Sequence, residues 1–339
     1  MEPLKQKLIL SYQEQIDHFK SKGITFNLDF DEKRAIDYLQ SHNIFFRLKA
    51  YCSDFKNSDL STYSGLDFSY LVDLARIDDK LRKLILYMSI DVEHFSKVQL
   101  LSLITKKCHD LDAYEIVEYY AEWLEKEKHK KLADNLRNNS KSAYVKELYE
   151  KYKSPEGTYR FLVQVLLEVA SFGTYIYFYE FCIKKLIDNL SNKWREILSL
   201  ILKVKDARNG AAHDNCFINN LKVINVNYRL DPYMVELLLT LEEISPRVKK
   251  RSLQNEKVVQ IITCLYSYRE LVIRSPRNYY KFLDRPYAVI PNELKVAMQS
   301  FSDQLGQFIG KLPKKLEIEY STAKTLKLIK KVVDSWYLS

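Results

Sequence analysis

The sequence predicts an all-α protein, a helical-bundle core with additional N- and C-terminal helices. Three observations predict it. Glycine and proline are scarce, 7 and 8 in 339 residues, against average usage of about 7% and about 5%, so tight turns and phosphate-cradling loops have few residues to be built from. Apolar residues recur at helical intervals over most of the chain, the signature of helices buried on one side. Alternation of period two is confined to one short stretch, LKVINVNYR at 221–229, which reads equally as a short strand or an extended loop. With 47% hydrophobic and 29% charged residues, the chain is long enough for one large domain or two modest ones.

Taken in order, Ser11 and Glu14 form a capping box ahead of a helix over 11–22, with Tyr12, Ile16 and Phe19 on one face and a stop at Lys22-Gly23. A second helical pattern runs from Asp31 to about Phe55 through Ile36, Leu39, Ile44, Leu48 and Tyr51, and a polar loop follows over 56–65. From Asp67 to Thr105 nothing breaks the stripe Leu71, Leu74, Ile77, Leu81, Leu84, Ile85, Met88, Val92 and Phe95. Asp112 to Lys131 reads as a charged helix whose Tyr119, Tyr120 and Trp123 make one apolar stripe. After Ser154-Pro155-Glu156-Gly157, the most apolar helix, Tyr159 to Leu190, is expected at the centre of the core. Another runs from Lys193 to about Asp206 and meets the segment Ala207 to Asp214. Beyond Asp231-Pro232 helical patterns resume, interrupted at Pro246, Pro276, Pro286, Pro291 and Pro313.

The net charge is +9, and residues 245–339 hold 18 basic against 8 acidic side chains, so the whole surplus lies in the C-terminal quarter. A polyanion such as RNA, or an anionic membrane surface, would be held there; Lys-rich solvated helix faces are the plainer reading. The five cysteines, Cys52, Cys108, Cys182, Cys216 and Cys264, are odd in number and never form a C-x-x-C pair, which suits a reducing compartment and offers no zinc framework. The N-terminus lacks an apolar leader segment. The most apolar stretch, Val165 to Ile187, is interrupted by Glu168, Glu180 and Lys184-Lys185, leaving fewer than the roughly 20 uncharged residues a spanning helix needs. A soluble, cytoplasmic protein without a membrane partner is expected.

No G-x-G-x-x-G, P-loop, H-E-x-x-H or G-x-S-x-G pattern occurs, so NAD-dependent oxidoreductase, NTPase and hydrolase-fold readings lose their usual anchors. What remains is Arg208-Asn209-Gly210-Ala211-Ala212-His213-Asp214. Such a pair can cleave RNA without metal or cofactor. An imidazole titrating near neutrality moves the proton of a ribose 2′-OH, while a guanidinium that stays charged stabilises the developing phosphorane oxygens. The spacing alone is weak, because an Arg and a His this far apart turn up about once by chance in a chain with this many of each. On a straight helix they would also lie about 140° apart, whereas Asn209 and His213 share a face. The Arg reaches round from a helix end, or a two-fold dimer brings two copies together across one cleft.

Several blocks in order resemble the Abi-type abortive infection proteins (the AbiD and AbiF-like group), placed in the HEPN ribonuclease superfamily. LSYQEQI at 10–16, running on to Lys22-Gly23, is similar to the family's "Y-x-E-Q-I". DKLRKLI at 79–85, followed by Asp91-Val92-Glu93, looks like its "D-x-x-L-R" helix ending in an acidic pair. EVASFGT at 168–174 is like "E-x-x-S-F-G-T", and Arg208-Asn209 through Ala212-His213 is like "R-N-x-x-A-H". The chain departs from the pattern at Cys216, before Phe217-Ile218-Asn219, where the family often has an Arg.

The resemblance implies an Abi-type region over 1–240 containing a HEPN-like core of about residues 60–225, with 241–339 as a basic C-terminal helical region. It implies a homodimeric endoribonuclease with Arg208 and His213 as the catalytic pair, Asn209 positioning, and Glu93 as a secondary candidate from an earlier helix. No metal and no cofactor is implied. At Gly173 close helix packing is expected. Arg274, Arg277, Tyr279, Tyr280 and Lys281 are RNA-binding candidates, cations interleaved with stacking rings. The expected role is an abortive-infection toxin restrained by an inhibitory RNA or a small protein antitoxin. The rivals are a non-catalytic RNA-binding HEPN sensor, a helical adaptor acting through protein contacts, and an enzyme modifying nucleotides or proteins.

Overall fold

The computed structural model describes residues 9–42, 44–55, 62–63, 65–139, 142–152, 162–221, 232–274, 290–313 and 321–338. Among them the fold is all-α: no strand occurs, and the sole extended pairing is an isolated bridge between Thr25 and Asp67. The alternating stretch beyond Leu221 lies outside the described residues.

Helix α1 (Tyr12–Ser21) starts on the expected capping box, Ser11 Oγ accepting the Glu14 amide while the Glu14 carboxylate accepts the Ser11 amide. It is followed by Gly23 at φ +81°, where an added Cβ would lie 3.0 Å from the Tyr63 carbonyl oxygen. The second pattern divides into α2 (Glu32–His42) and α3 (Phe45–Cys52), with a 3-10 turn over Ser53–Phe55. The five-residue step from Leu39 to Ile44 breaks the three-to-four spacing that one buried stripe requires. Helix α4 (Phe68–Lys107) is the uninterrupted stripe made real: 40 residues, about 60 Å at the rise of an α-helix.

Helix α5 (Ala113–Lys128) is capped by the Asp112 carboxylate and ends at His129 in the left-handed region. Its buried face is Ile116, Val117, Tyr120 and Leu124, while Tyr119 turns outward at 49% exposure, so the expected Tyr119-Tyr120-Trp123 stripe is corrected. Helices α6 (Leu132–Asn139) and α7 (Ala143–Lys151) are short. The most apolar helix is two, α8 (Val163–Val169) and α9 (Phe172–Phe181), the latter running into a π-turn over Cys182–Leu186. Ser171 breaks it: its side chain accepts the Thr174 amide and starts a new helix. Helix α10 (Asn192–Ala212) carries the Arg208 motif to its end. Helices α11 (Pro232–Leu239), α12 (Pro246–Ser252) and α13 (Glu256–Ser267) follow, then α14 (Asn292–Lys311) and α15 (Ser321–Val333).

The chain divides into two compact units, Met1–Leu86 with Gly210–Ile262 and Ile290–Ser339, and Tyr87–Asn209 with Thr263–Val289. The divisions fall inside α4, inside α10 and inside α13. In the first unit, Phe19, Phe45 and Phe68 pack edge to face, and Phe301, Leu305 and Phe308 of α14 are buried, as are Leu326, Ile329 and Val333 of α15. In the second, the ring of Tyr120 meets Phe178 and Phe181 at 5.1 and 5.6 Å. No described helix is long and apolar enough to cross a membrane.

Asp67, 3% exposed, ties the chain before α2 to the start of α4: it accepts from Thr25 Oγ1 at 2.8 Å and from the amides of Asn27 and Ser69 at 2.9 and 3.0 Å. Burial pushes this carboxyl up, but the hydrogen bonds outweigh it and hold it below the usual range. A folded-state pKa below the unfolded one gives stability that is present above the unfolded value, about 3.9, and lost as pH falls through the folded value. Asp67→Asn is therefore expected to cost about 1–3 kcal/mol at pH 7, a difference that shrinks below about pH 4, read by urea denaturation at the two pH values.

Candidate active site

The last turn of α10 places Arg208 half-buried and Asn209 exposed, and His213 stands exposed just past the helix end. Asp214, at φ 58°, closes the helix in the left-handed conformation. Its amide donates to the Ala211 carbonyl at 3.2 Å and that of Asn215 to the Gly210 carbonyl at 2.9 Å, the paired bonds of a Schellman stop. Gly210 lets the returning chain approach, since an added Cβ would sit 3.3 Å from Phe217 Cζ. Among the described residues the side chains of Arg208, Asn209 and His213 have no hydrogen-bond or ionic partner.

Asp214 has two. Arg47 on α3 donates to its carboxylate and, at 3.1 Å, to its carbonyl, and Arg82 Nε on α4 lies 2.9 Å from its Oδ1. Arg82 is 4% exposed and also pairs with Asp78 and, at 3.4 Å, with Asp79. Asp78 is fully buried. Its Oδ1 accepts the amides of Phe217 and Ile218 at 2.8 and 3.0 Å, and its Oδ2 accepts from the Tyr51 hydroxyl at 3.0 Å and from Arg82. Burial pushes the Asp78 carboxyl up, with Arg82 and the two amides pulling against it. The other side of the return is held by α13. Lys257 Nζ donates to the Cys216 carbonyl at 2.8 Å and to Asn219, and burial pushes its ammonium down. Asn255 donates to the Asn220 carbonyl at 2.9 Å. Burial raises the Cys216 thiol, with Asp78 adding to the shift.

Glu93 pairs with Lys97 at 2.9 Å, and Lys97 donates to the Ala170 carbonyl at 3.1 Å and lies 5.5 Å over the Tyr175 ring. That carboxylate is engaged in anchoring α4 to the turn before α9. Gly173 is not a close-packing point, because a Cβ there would meet only Ser171 Oγ at 3.9 Å; the "S-F-G-T" block is a helix cap instead. Arg274 is exposed and 3.4 Å from Glu270, while Arg277, Tyr279, Tyr280 and Lys281 lie outside the described residues.

The sequence motifs give no role to Arg47, Tyr51, Asp78 or Lys257, and none to Arg82 and Asp214, which lie inside the second block and at the end of the Arg208 motif. One signal was present: Asp78 occupies an apolar place in the series 71, 74, 78, 81, 85, 88, with Arg82 one turn further on the same face. The Phe217-Ile218-Asn219 tail of the fourth block also finds its reason, as the segment that Asp78 and Lys257 grip.

A family model described as Abi-like protein matches residues 37–219, more than half the chain. Searches of curated proteins and of solved structures gave no match.

Replacing Arg82 by Met leaves the buried Asp78 carboxylate without its counter-charge and is expected to destabilise the fold by about 3–5 kcal/mol. Adding Asp78→Asn in the same chain removes the orphaned charge and is expected to recover part of that loss, as a double-mutant cycle by chemical denaturation would measure.

Proposed function

The chain belongs to the Abi-like protein family, and from that premise we propose that it is an abortive-infection toxin, a metal-independent endoribonuclease that cuts host or phage RNA. The observation that carries the reading is the exposed His213 on a locked helix end, five residues along the chain from Arg208 and four from Asn209. The attack on phosphorus uses these side chains, and the departing oxygen needs a proton donor besides them. His213 takes the proton of a ribose 2′-OH, the 2′ oxygen bonds to phosphorus, and Arg208 offsets the charge that grows on the phosphorane oxygens. Breaking the P–O5′ bond leaves a 2′,3′-cyclic phosphate and a 5′-OH, the departing oxygen taking up a proton. A two-fold homodimer supplies that proton from a second copy's His213 and answers the angle between Arg208 and His213 on one helix.

An enzyme of this kind is held in check in a healthy cell, by an inhibitory RNA or a small protein antitoxin. The basic face of α12 suits the nucleic acid: Arg247, Lys250 and Arg251 are exposed and have no acidic partner among the described residues. Binding through such cations weakens steeply as salt rises.

The test is cutting of total bacterial RNA in EDTA by protein stripped of bound nucleic acid. Wild type is expected to produce discrete fragments, and His213→Ala and Arg208→Ala to lose at least about 100-fold in rate. If wild type leaves RNA intact yet binds it in a salt-sensitive way, the nuclease reading falls and a non-catalytic RNA sensor of a phage-defence system replaces it.

A further inference from the structure

Ending a helix in the left-handed conformation calls for Gly, which adopts it freely, or Asn. Here the place is taken by Asp214 at φ 58°, a residue type whose short polar side chain lets it adopt this conformation. Its carboxylate is engaged in more than the turn. It is bound by two guanidiniums from two helices, Arg47 of α3 and Arg82 of α4, and Arg47 also holds the Asp214 carbonyl at 3.1 Å. Arg82 in turn is fixed by the buried Asp78.

His213 thus lies between two immobilised stretches of backbone. On one side is the hydrogen-bonded end of α10; on the other is a residue whose carboxylate and carbonyl are both clamped. Its imidazole is exposed and has no partner among the described residues, so nothing holds the ring except the backbone it springs from. A general base works only when its nitrogen is within hydrogen-bond reach of the proton it removes, and a misplacement of about 1 Å costs on the order of 100-fold in rate.

We propose that Asp214 is the positioning residue for His213: its carboxylate, clamped by Arg47 and Arg82, fixes the helix-end backbone from which the imidazole projects. This rests on the ribonuclease reading of His213. Asp214 touches no reacting atom, and it acts through its neighbour. Arg47 is the side of the clamp nearer the surface, with its side chain 18% exposed against 5% for Arg82, so it can be removed without opening the core.

The test uses the full-length protein with Asp214→Gly and Asp214→Asn, both of which accept the left-handed backbone and lose the charge, and Arg47→Ala as the partner deletion. The two substitutions at 214 together separate loss of the carboxylate from added backbone freedom. All three are expected to keep the thermal midpoint within a few degrees and KM for RNA within about twofold, while kcat falls at least about tenfold. Millimolar guanidinium is expected to restore part of kcat to Arg47→Ala. A second readout is independent of cutting. With 15N-labelled histidine, the His213 amide is expected to be rigid in wild type, order parameter about 0.85, and to fall below about 0.6 in the variants.

Unchanged order at His213, or unchanged kcat with order lost, overturns the positioning role. So does a fall in kcat with His213 still rigid. If His213→Ala cuts as well as wild type, or wild type does not cut at all, it is the ribonuclease reading that fails, and the His213 order measurement by itself then decides whether Asp214 clamps that backbone.

Discussion

The arrangement of the first unit depends on one buried carboxylate. Asp78 sits on the apolar face of α4 with no access to water and is made tolerable by four donors: two backbone amides, a tyrosine hydroxyl and a guanidinium. A charge left alone in that place would be costly enough to unfold the region or to be neutralised by a proton. A buried pair of this kind contributes little net stability over an apolar replacement; what it fixes is geometry. Here the geometry is the register of the chain leaving α10. Only when Phe217 and Ile218 present their amides to Asp78 are all its acceptors filled, and in that register Asp214 falls onto Arg82 and Arg47.

The consequence is a division of labour along seven residues. Gly210 admits the Phe217 ring, the Ala211 carbonyl accepts the Asp214 amide at the helix stop, and Asp214 is consumed by two arginines. Arg208, Asn209 and His213, interleaved with these, keep their polar groups without a partner among the described residues. The backbone of that stretch is held, and these three polar side chains remain available to a substrate. The same logic sets Glu93 apart, because its charge is already taken by Lys97 in service of the α4 to α9 contact.

Legibility in the sequence followed the range of the interaction. The capping box of α1 and the 40-residue stripe of α4 are local patterns, and both were readable. The breaks between α2 and α3 and between α8 and α9 are local too. They hid inside apolar runs, where a five-residue step and a single capping serine are weak marks against strong hydrophobicity. Asp78 was readable as a charge out of place in an apolar register, but its purpose was not, since the amides it binds lie some 140 residues further on. The Arg47 to Asp214 clamp spans 167 residues, and no periodicity or motif within one chain announces such a pairing. The Arg208 to His213 motif stood out, whereas the device that holds its end did not.

The central claim is that this helix end cuts RNA by using the substrate's own 2′-OH as nucleophile. It is tested most directly by mapping one cut, synthesising that RNA with a single 2′-deoxy nucleotide on the 5′ side of the scissile phosphate, and comparing cutting and binding with the all-ribose parent. The account requires the deoxy strand to bind as tightly as its parent and to remain uncut at that position. Cutting of the deoxy strand at the parental rate would mean that water or another nucleophile attacks the phosphate, and would contradict the account.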